Sequence, residues 1–129
     1  LPQHLNDPEF SFTNVNYLIR DIMMGKLEKQ HLTSSQKEFI FGSNGLFWTR
    51  KLSKDTPECS LADEAVSILN DGKQNGGIVV GHTVQPKINS KCSGKVWAID
   101  SGMSDAFGKT GTSKIQVLEI SINKTVNIL

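Results

Sequence analysis

His82 is the residue of this chain whose type and position most clearly suggest chemistry. It follows the apolar run Ile78-Val79-Val80 after a single glycine, and it is one of three histidines in the sequence. Such a run predicts a buried strand, and a buried strand that ends in a histidine places an imidazole where α/β proteins usually build their sites. A later apolar stretch ends in Asp100-Ser101-Gly102, which predicts a tight turn at the same edge. His82 is therefore a candidate metal ligand, since imidazole suits Zn, Fe, Mn or Ni. The alternative is a histidine that only satisfies a local hydrogen bond.

Arg50 is the second candidate, because a guanidinium is always charged and can hold a phosphate through two parallel hydrogen bonds. The alternative is a surface arginine that stacks on Trp48 or pairs with an acid. The other two histidines carry less information, because His4 lies in a polar N-terminal stretch and His31 lies near a predicted helix end. Both are expected to be solvated surface residues.

Four segments occur in an order that resembles a known enzyme family. They are Gly45-Leu46-Phe47-Trp48-Thr49-Arg50, Ile78-Val79-Val80-Gly81-His82-Thr83, the stretch 92–104 with Ile99-Asp100-Ser101-Gly102-Met103-Ser104 at its end, and Val117-Leu118-Glu119-Ile120. Together they span about residues 41–120. In this order they resemble the C-terminal part of the calcineurin-like metallophosphoesterases. The closest likeness is to the Shewanella-like protein phosphatases, relatives of the phosphoprotein phosphatase family.

The resemblance implies a hydrolase of the metal-dependent phosphatase class. In that family the histidine of Gly-His-Thr binds one of two metal ions, so His82 is the implied metal ligand. The arginine of the Trp-x-Arg segment contacts the substrate phosphate, so Arg50 is the implied substrate-binding residue. The implied cofactors are two divalent metal ions (Mn, Fe or Zn), which in such centres lie about 3.5–4 Å apart. The implied substrate is a phosphorylated protein or a small phosphate ester.

The chain also departs from the family pattern. Leu46 and Val84 stand where proline is preferred, and the metal-binding motifs Gly-Asp-x-His-Gly, Gly-Asp-x-x-Asp-Arg-Gly and Gly-Asn-His-Glu are absent from the sequence. One histidine cannot hold two metal ions. We therefore expect residues 1–129 to be the C-terminal portion of a phosphatase domain, inactive alone, whose other ligands come from a missing N-terminal portion. The alternative is a non-catalytic phosphatase-like or interaction module without a metal centre.

Composition limits the partners and the compartment. The formal net charge of +1 gives no reason to expect nucleic acid or a membrane surface as a partner. The sequence shows no transmembrane run and no signal peptide, which leaves the compartment unknown, with the cytoplasm favoured. Cys59 and Cys92 are predicted to be reduced thiols because cytosolic disulfides are rare. The alternative is a disulfide between them. The glycosylation sequon Asn123-Lys124-Thr125 is expected to be a coincidence.

Three helices are predicted in the first half of the chain. Asn14 is expected to cap the first, with Val15 and Ile19 on its apolar face and an end near Lys29 despite Gly25. Thr33-Ser34-Ser35 caps a second helix that runs through Phe39. Ser60 and Asp63 approximate a capping box for the third, which should end at Asn70-Asp71-Gly72. Its predicted buried residues are Leu61, Ala65, Ile68 and Leu69, and residues 1–13 are predicted to be irregular.

The second half is predicted to contain strands at residues 78–80, 95–100, 115–122 and 125–129, the last two joined by a turn at Asn123-Lys124. Residues 102–112 are predicted to form a loop. This pattern alone indicates a sheet with helices on one face or an α+β layer. The resemblance implies an α/β fold, part of a four-layer α/β/β/α metallophosphoesterase sandwich with a helical first half and a strand-rich second half.

Overall fold

The computed structural model describes residues 11–70, 75–110 and 115–129 of the 129-residue chain. Within these ranges the helices lie in the first half and the strands lie in the second half. The fold is therefore mixed α/β, and the predicted division into a helical and a strand-rich half is confirmed. None of the helices in the described ranges is long and apolar enough to cross a membrane.

Helix α1 spans Phe12–Met23 and is capped by Ser11, whose hydroxyl accepts a hydrogen bond from the Asn14 amide at 3.3 Å. The prediction that Asn14 is the cap is wrong, because the helix already begins at Phe12 and Ser11 is therefore the capping residue. The helix therefore begins two residues inside the range predicted to be irregular. It ends before Gly25, which adopts a φ of +68°, so the predicted extension to Lys29 is also wrong.

Helix α2 spans Ser34–Phe41 and begins with the predicted cap at Thr33. The Thr33 hydroxyl accepts from the Gln36 amide at 3.1 Å, and the Gln36 side chain accepts from the Thr33 amide at 2.9 Å. This reciprocal capping box satisfies two amides that would otherwise lack partners at the helix start. The helix runs two residues further than predicted, because Phe39 and Ile40 are buried and the chain leaves the helix only at Gly42.

Helix α3 spans Cys59–Leu69, with Glu58 at the capping position and no side-chain cap. The capping box predicted for Ser60 and Asp63 does not form, because Asp63 instead pairs with Lys95. Asn70 ends the helix as predicted, while Asp71 and Gly72 lie outside the described residues.

The buried face of α3 is rotated from the predicted one. Ala65 is buried as predicted, but its buried neighbours are Ala62 and Val66, whereas Leu69, which was predicted to be buried, is 44% exposed. Periodicity places apolar residues on one stripe, but the neighbouring elements decide which part of that stripe is covered.

A three-stranded sheet follows, with β1 at Ile78–Val80, β2 at Asn89–Lys91 and β3 at Val96–Ala98. The spatial order is β1-β3-β2; β1 runs parallel to β3, and β2 runs antiparallel to it. Strand β2 is not predicted by the sequence, because Asn89-Ser90-Lys91 has no apolar alternation. Its pairing with β3 makes it a strand. The central strand β3 carries the buried residues Val96 and Ala98.

The last two strands, β4 at Leu118–Ile120 and β5 at Val126–Ile128, form an antiparallel hairpin. The predicted turn at Asn123-Lys124 is confirmed, with Lys124 at a φ of +65°. Between the two sheets, a 3-10 helix at Asp105–Thr110 occupies most of the range that was predicted as a loop.

Two apolar clusters hold these elements. The first joins α1 to α2 through Val15, Phe39 and Ile40, with Ile19 and Leu46 packed beside them. The second joins α3 to the three-stranded sheet, and its buried members are Leu52, Ala62 and Val96. Burial of each of these larger side chains contributes about 1.5–3 kcal/mol to folding.

Cys59 and Cys92 form a disulfide, so the prediction of two reduced thiols is wrong. Cys59 is the first residue of α3, and Cys92 follows β2 in the turn to β3. Packing of α3 on the sheet brings their Cα atoms to 5.2 Å, within the range that a disulfide can bridge. The bond closes a loop between residues 33 positions apart in sequence, which sequence alone cannot show to be close.

Candidate functional site

His82 lies immediately beyond the end of β1, as predicted, and its side chain is exposed. Its φ of +67° is in the left-handed region, which non-glycine residues seldom adopt. The strand that carries it is only half-buried, because Val79 is 45% exposed. The prediction of a buried strand is therefore wrong, whereas the predicted placement of the histidine at a strand end is confirmed.

The Asp100-Ser101-Gly102 turn lies at the same edge of the sheet, because β1 and β3 are parallel. The Ile99 amide donates to the Val80 carbonyl at 3.0 Å and continues the pairing past both strand ends. The Asp100 carboxylate accepts from the Gly102 amide at 3.1 Å, and Gly102 has a φ of +57°. The predicted turn role of Asp100 is confirmed.

Trp48 contacts His82 edge to face, with ring centroids 4.9 Å apart. Trp48 and Phe47 are about half exposed, at 51% and 47%. Phe47 stacks on Phe41 at a centroid distance of 5.8 Å. These four rings and Lys29 line an open pocket of about 480 Å³. The imidazole therefore borders an aromatic surface that only the folded chain assembles.

Residues 45–50, which carry Trp48 and Arg50, are held against the end of α2. The β-carbon of any other residue at Gly45 would come within 2.8 Å of the Glu38 and Phe39 carbonyl oxygens. The Leu46 amide donates to the Phe39 carbonyl at 2.9 Å. Only a glycine can lie this close to the two carbonyl oxygens without a steric clash. Gly45 therefore allows the segment to pack against the end of α2.

A second link joins residues 45–53, the Arg50 segment, to residues 81–85, the His82 loop. The buried Ser53 hydroxyl donates to the Thr83 hydroxyl at 2.7 Å. The Gln85 side-chain amide donates to the carbonyls of Ser53 at 3.1 Å and Thr83 at 3.0 Å. Gln85 is only 5% exposed, and its backbone amide donates to the Asp100 carbonyl at 2.7 Å. One buried glutamine thus ties together three segments around His82.

This role of Gln85 is not predicted by the sequence. A single glutamine matches no catalytic or metal-binding pattern, and its two main partners lie 32 and 2 residues away in sequence. The only signal in the sequence is its position three residues after His82, in a stretch too short to form an element of its own.

Arg50 is exposed and begins the turn that contains Ser53, with its carbonyl accepting from the Ser53 amide at 3.1 Å. Its guanidinium neither stacks on Trp48 nor pairs with an acid among the residues that the structure describes. The neighbouring lysines behave differently, since Lys51 and Lys54 both pair with Glu58. The hydrogen bond from Lys54, at 3.1 Å, is the main reason that the pKa of Glu58 is lowered. Arg50 is thus an exposed cation two residues along the chain from Trp48, the residue that contacts His82.

The described residues do not by themselves provide a two-metal centre. No group of three or more His, Cys, Asp or Glu side chains suited to a metal ion occurs in the described ranges. His82 offers one exposed imidazole. His31 is exposed in a short 3-10 helix, as predicted for a solvated residue, and His4 lies outside the described residues. A zinc ion in a protein takes three or four protein ligands, so one imidazole is an incomplete set.

Comparison with known proteins gives a weak similarity to a fungal protein. No family model matches the chain, and no solved structure matches it significantly. An uncharacterized protein of Schizosaccharomyces pombe is 28% identical over 127 residues, which cover 95% of this chain and 36% of the fungal protein. The chain therefore spans about a third of the length of the curated relative it matches.

Proposed function

We propose that this chain supplies the C-terminal part of a metal-dependent phosphoester hydrolase of the protein phosphatase type. The observation that carries the proposal is the contact between the Arg50 segment and the His82 loop, made by Trp48 on His82 and by Ser53 on Thr83. These two segments resemble the phosphate-binding and metal-binding motifs of one enzyme family. The two segments are about 30 residues apart in sequence but are in contact in the fold. Residues that share one site must lie close together in this way.

In this proposal His82 is a metal ligand and Arg50 holds the substrate phosphate. The guanidinium can donate two parallel hydrogen bonds to phosphate oxygens and so fix the orientation of the group. The centre would contain two divalent ions (Mn, Fe or Zn), which supply an activated water when bound. The remaining ligands would come from a further portion of polypeptide, and the three-stranded sheet would belong to a four-layer α/β/β/α sandwich. The substrate class is a phosphorylated protein or a small phosphate ester.

The second candidate is a non-catalytic phosphatase-like or interaction module. It is favoured by the lack of a metal-ligand cluster within the described part of the chain. In that case the aromatic surface around His82 would serve binding, with no need for an ion.

The experiment that separates the two uses the longest natural polypeptide that contains residues 1–129, purified with and without added Mn²⁺. Metal stoichiometry by mass spectrometry and hydrolysis of an aryl phosphate and of phosphopeptides are measured on the same preparation. Bound divalent metal together with metal-dependent hydrolysis supports the enzyme. A folded protein that binds no metal and hydrolyses none of these substrates would establish the module instead.

A further inference from the structure

The tip of the β4–β5 hairpin carries Asn123-Lys124-Thr125, the one Asn-x-Ser/Thr sequon of the sequence. The three residues are exposed, and they lie in a tight turn in which the Lys124 amide donates to the Ser121 carbonyl at 2.8 Å. The Asn123 side-chain oxygen accepts from the Thr125 amide at 3.1 Å. An acceptor asparagine at an exposed turn can carry a bulky, hydrophilic glycan without disturbing packed residues.

The Cys59–Cys92 disulfide is an independent observation about the same compartment. Both cysteines are in this bond, and no free cysteine is present in the chain. Disulfides persist in the endoplasmic reticulum, at the cell surface and outside the cell, and are rare where glutathione keeps thiols reduced. The compartments in which a eukaryotic cell adds N-linked glycans are among those that allow this disulfide.

The surface next to the sequon also fits a covering glycan. Ile122, directly before Asn123, is fully exposed, and Ile120 on β4 is 55% exposed. Exposed apolar side chains grouped on one surface promote association unless something covers them. A glycan on Asn123 would screen this end of the hairpin from other molecules.

We propose that Asn123 is an N-glycosylation site and that the chain matures in an oxidising, secretory compartment, in place of the cytoplasm that the sequence favours. The donor is a lipid diphosphate-linked oligosaccharide. The Asn123 side-chain nitrogen forms a bond to the anomeric carbon of the first sugar. The bond from that carbon to the diphosphate oxygen breaks, the lipid diphosphate leaves with the electron pair, and the amide nitrogen loses one proton to a base. This assignment does not depend on the phosphatase proposal.

The test expresses the complete natural polypeptide in eukaryotic cells from its own coding sequence, with no added signal. Wild-type protein should show a shift to lower mass on treatment with peptide N-glycosidase, which converts the modified Asn123 to aspartate and so marks the site in peptide mapping. Alkylation of the cell lysate should find Cys59 and Cys92 oxidised in the glycosylated pool. Asn123→Gln and Thr125→Ala should each abolish the shift.

Thr125→Ser is the matched control, because it keeps the hydroxyl that defines the sequon and should retain the glycan. Wild-type protein without a glycan on Asn123 would overturn the proposal. Glycosylation that occurs only when a foreign secretory signal is attached would also overturn it, since the site would then be competent but the natural protein would not reach the transferase.

Discussion

At the scale of single residues, His82 and Arg50 carry the phosphatase proposal, and both have side chains whose removal should leave packing intact. The His82 side chain is exposed and contacts the half-exposed Trp48 ring at a centroid distance of 4.9 Å. The Arg50 side chain is exposed, and its guanidinium neither pairs with an acid nor stacks on Trp48 within the described ranges. Loss of function and loss of stability can therefore be separated at both positions.

In the complete enzyme, His82→Ala should lower the occupancy of one metal ion. It should reduce kcat by more than about 100-fold, the upper range for residues that only support a ligand. The melting temperature of the metal-free protein should stay nearly unchanged, because the side chain is exposed. Metal stoichiometry, kcat and metal-free melting are measured on one preparation. His31→Ala is the control, since His31 is also exposed and should change none of the three. Full metal occupancy with a near-normal rate in His82→Ala would end the ligand assignment.

Arg50→Lys should lower kcat/KM of the complete enzyme by about 10- to 100-fold, because hydrogen bonds to charged groups contribute roughly 1.5–3 kcal/mol. A lysine keeps the charge but cannot reproduce the two parallel hydrogen bonds. Inhibition by inorganic phosphate should weaken in parallel. The control is Arg20→Lys on α1, which is exposed and should be silent. If kcat/KM and phosphate inhibition both stay at the wild-type values, Arg50 does not contact phosphate.

At the scale of elements, the His82 loop depends on two connections that span the fold. One is the hydrogen-bond network of Gln85, which ties the loop to the Ser53 turn and to the end of β3. The other is the disulfide between α3 and the β2–β3 turn. Both act on the three-stranded sheet that carries His82, so weakening either should loosen the support of the site.

Gln85→Ala should lower the free energy of unfolding by about 2–3 kcal/mol, because it leaves buried carbonyls without a partner. Urea unfolding of the purified protein measures the loss. Gln30→Ala is the matched control, because Gln30 is an exposed glutamine whose side chain donates to exposed Glu28. Its effect should stay within about 0.5 kcal/mol. Equal effects at the two positions would show that the Gln85 network contributes nothing beyond an ordinary surface amide.

Cys59→Ser should lower the free energy of unfolding by about 3–4 kcal/mol, because opening this loop frees the unfolded chain. The double variant Cys59→Ser with Cys92→Ser should lose about the same amount, since either change alone breaks the one bond. Unfolding midpoints in urea, with and without a reducing agent, provide the measurement. Ser60→Ala, at the next exposed position of α3, is the control. A midpoint for wild-type protein that reducing agent leaves unchanged would contradict a stabilising disulfide.

At the scale of the whole molecule, the fold brings together two segments that would form part of the proposed site. The two apolar clusters, one between α1 and α2 and one between α3 and the sheet, place the Arg50 segment and the His82 loop side by side. Within the described residues, these two segments supply one exposed arginine and one imidazole, but not the several ligands that a two-metal centre needs.

Residues 1–129 alone should therefore not hydrolyse phosphate esters at a rate above the buffer blank, with or without added Mn²⁺. The measurement is an aryl phosphate assay on a preparation free of other phosphatases. The same assay on the longer natural polypeptide serves as the positive comparison. Metal-dependent turnover by the isolated 129 residues would refute the expectation that most of the ligands lie elsewhere.

The amino-acid sequence by itself determined those features that depend on residues close together along the chain. Thr33 caps α2 as predicted, and it forms a capping box with Gln36 because the two residues are one helical turn apart. The apolar run Ile78–Val80 forms a strand with His82 just beyond its end, and Asn123-Lys124 makes the predicted hairpin turn. In each case the interaction needs no distant partner.

Only the tertiary structure decided which distant residues meet. Nothing local distinguishes Gln85 as a buried link, makes Asn89–Lys91 a strand, or pairs Cys59 with Cys92. The same holds for the half-exposed Trp48 on His82 and for the rotated buried face of α3. Each of these depends on how helices pack on the sheet, and that packing minimises exposed apolar area over the whole chain rather than within any one segment.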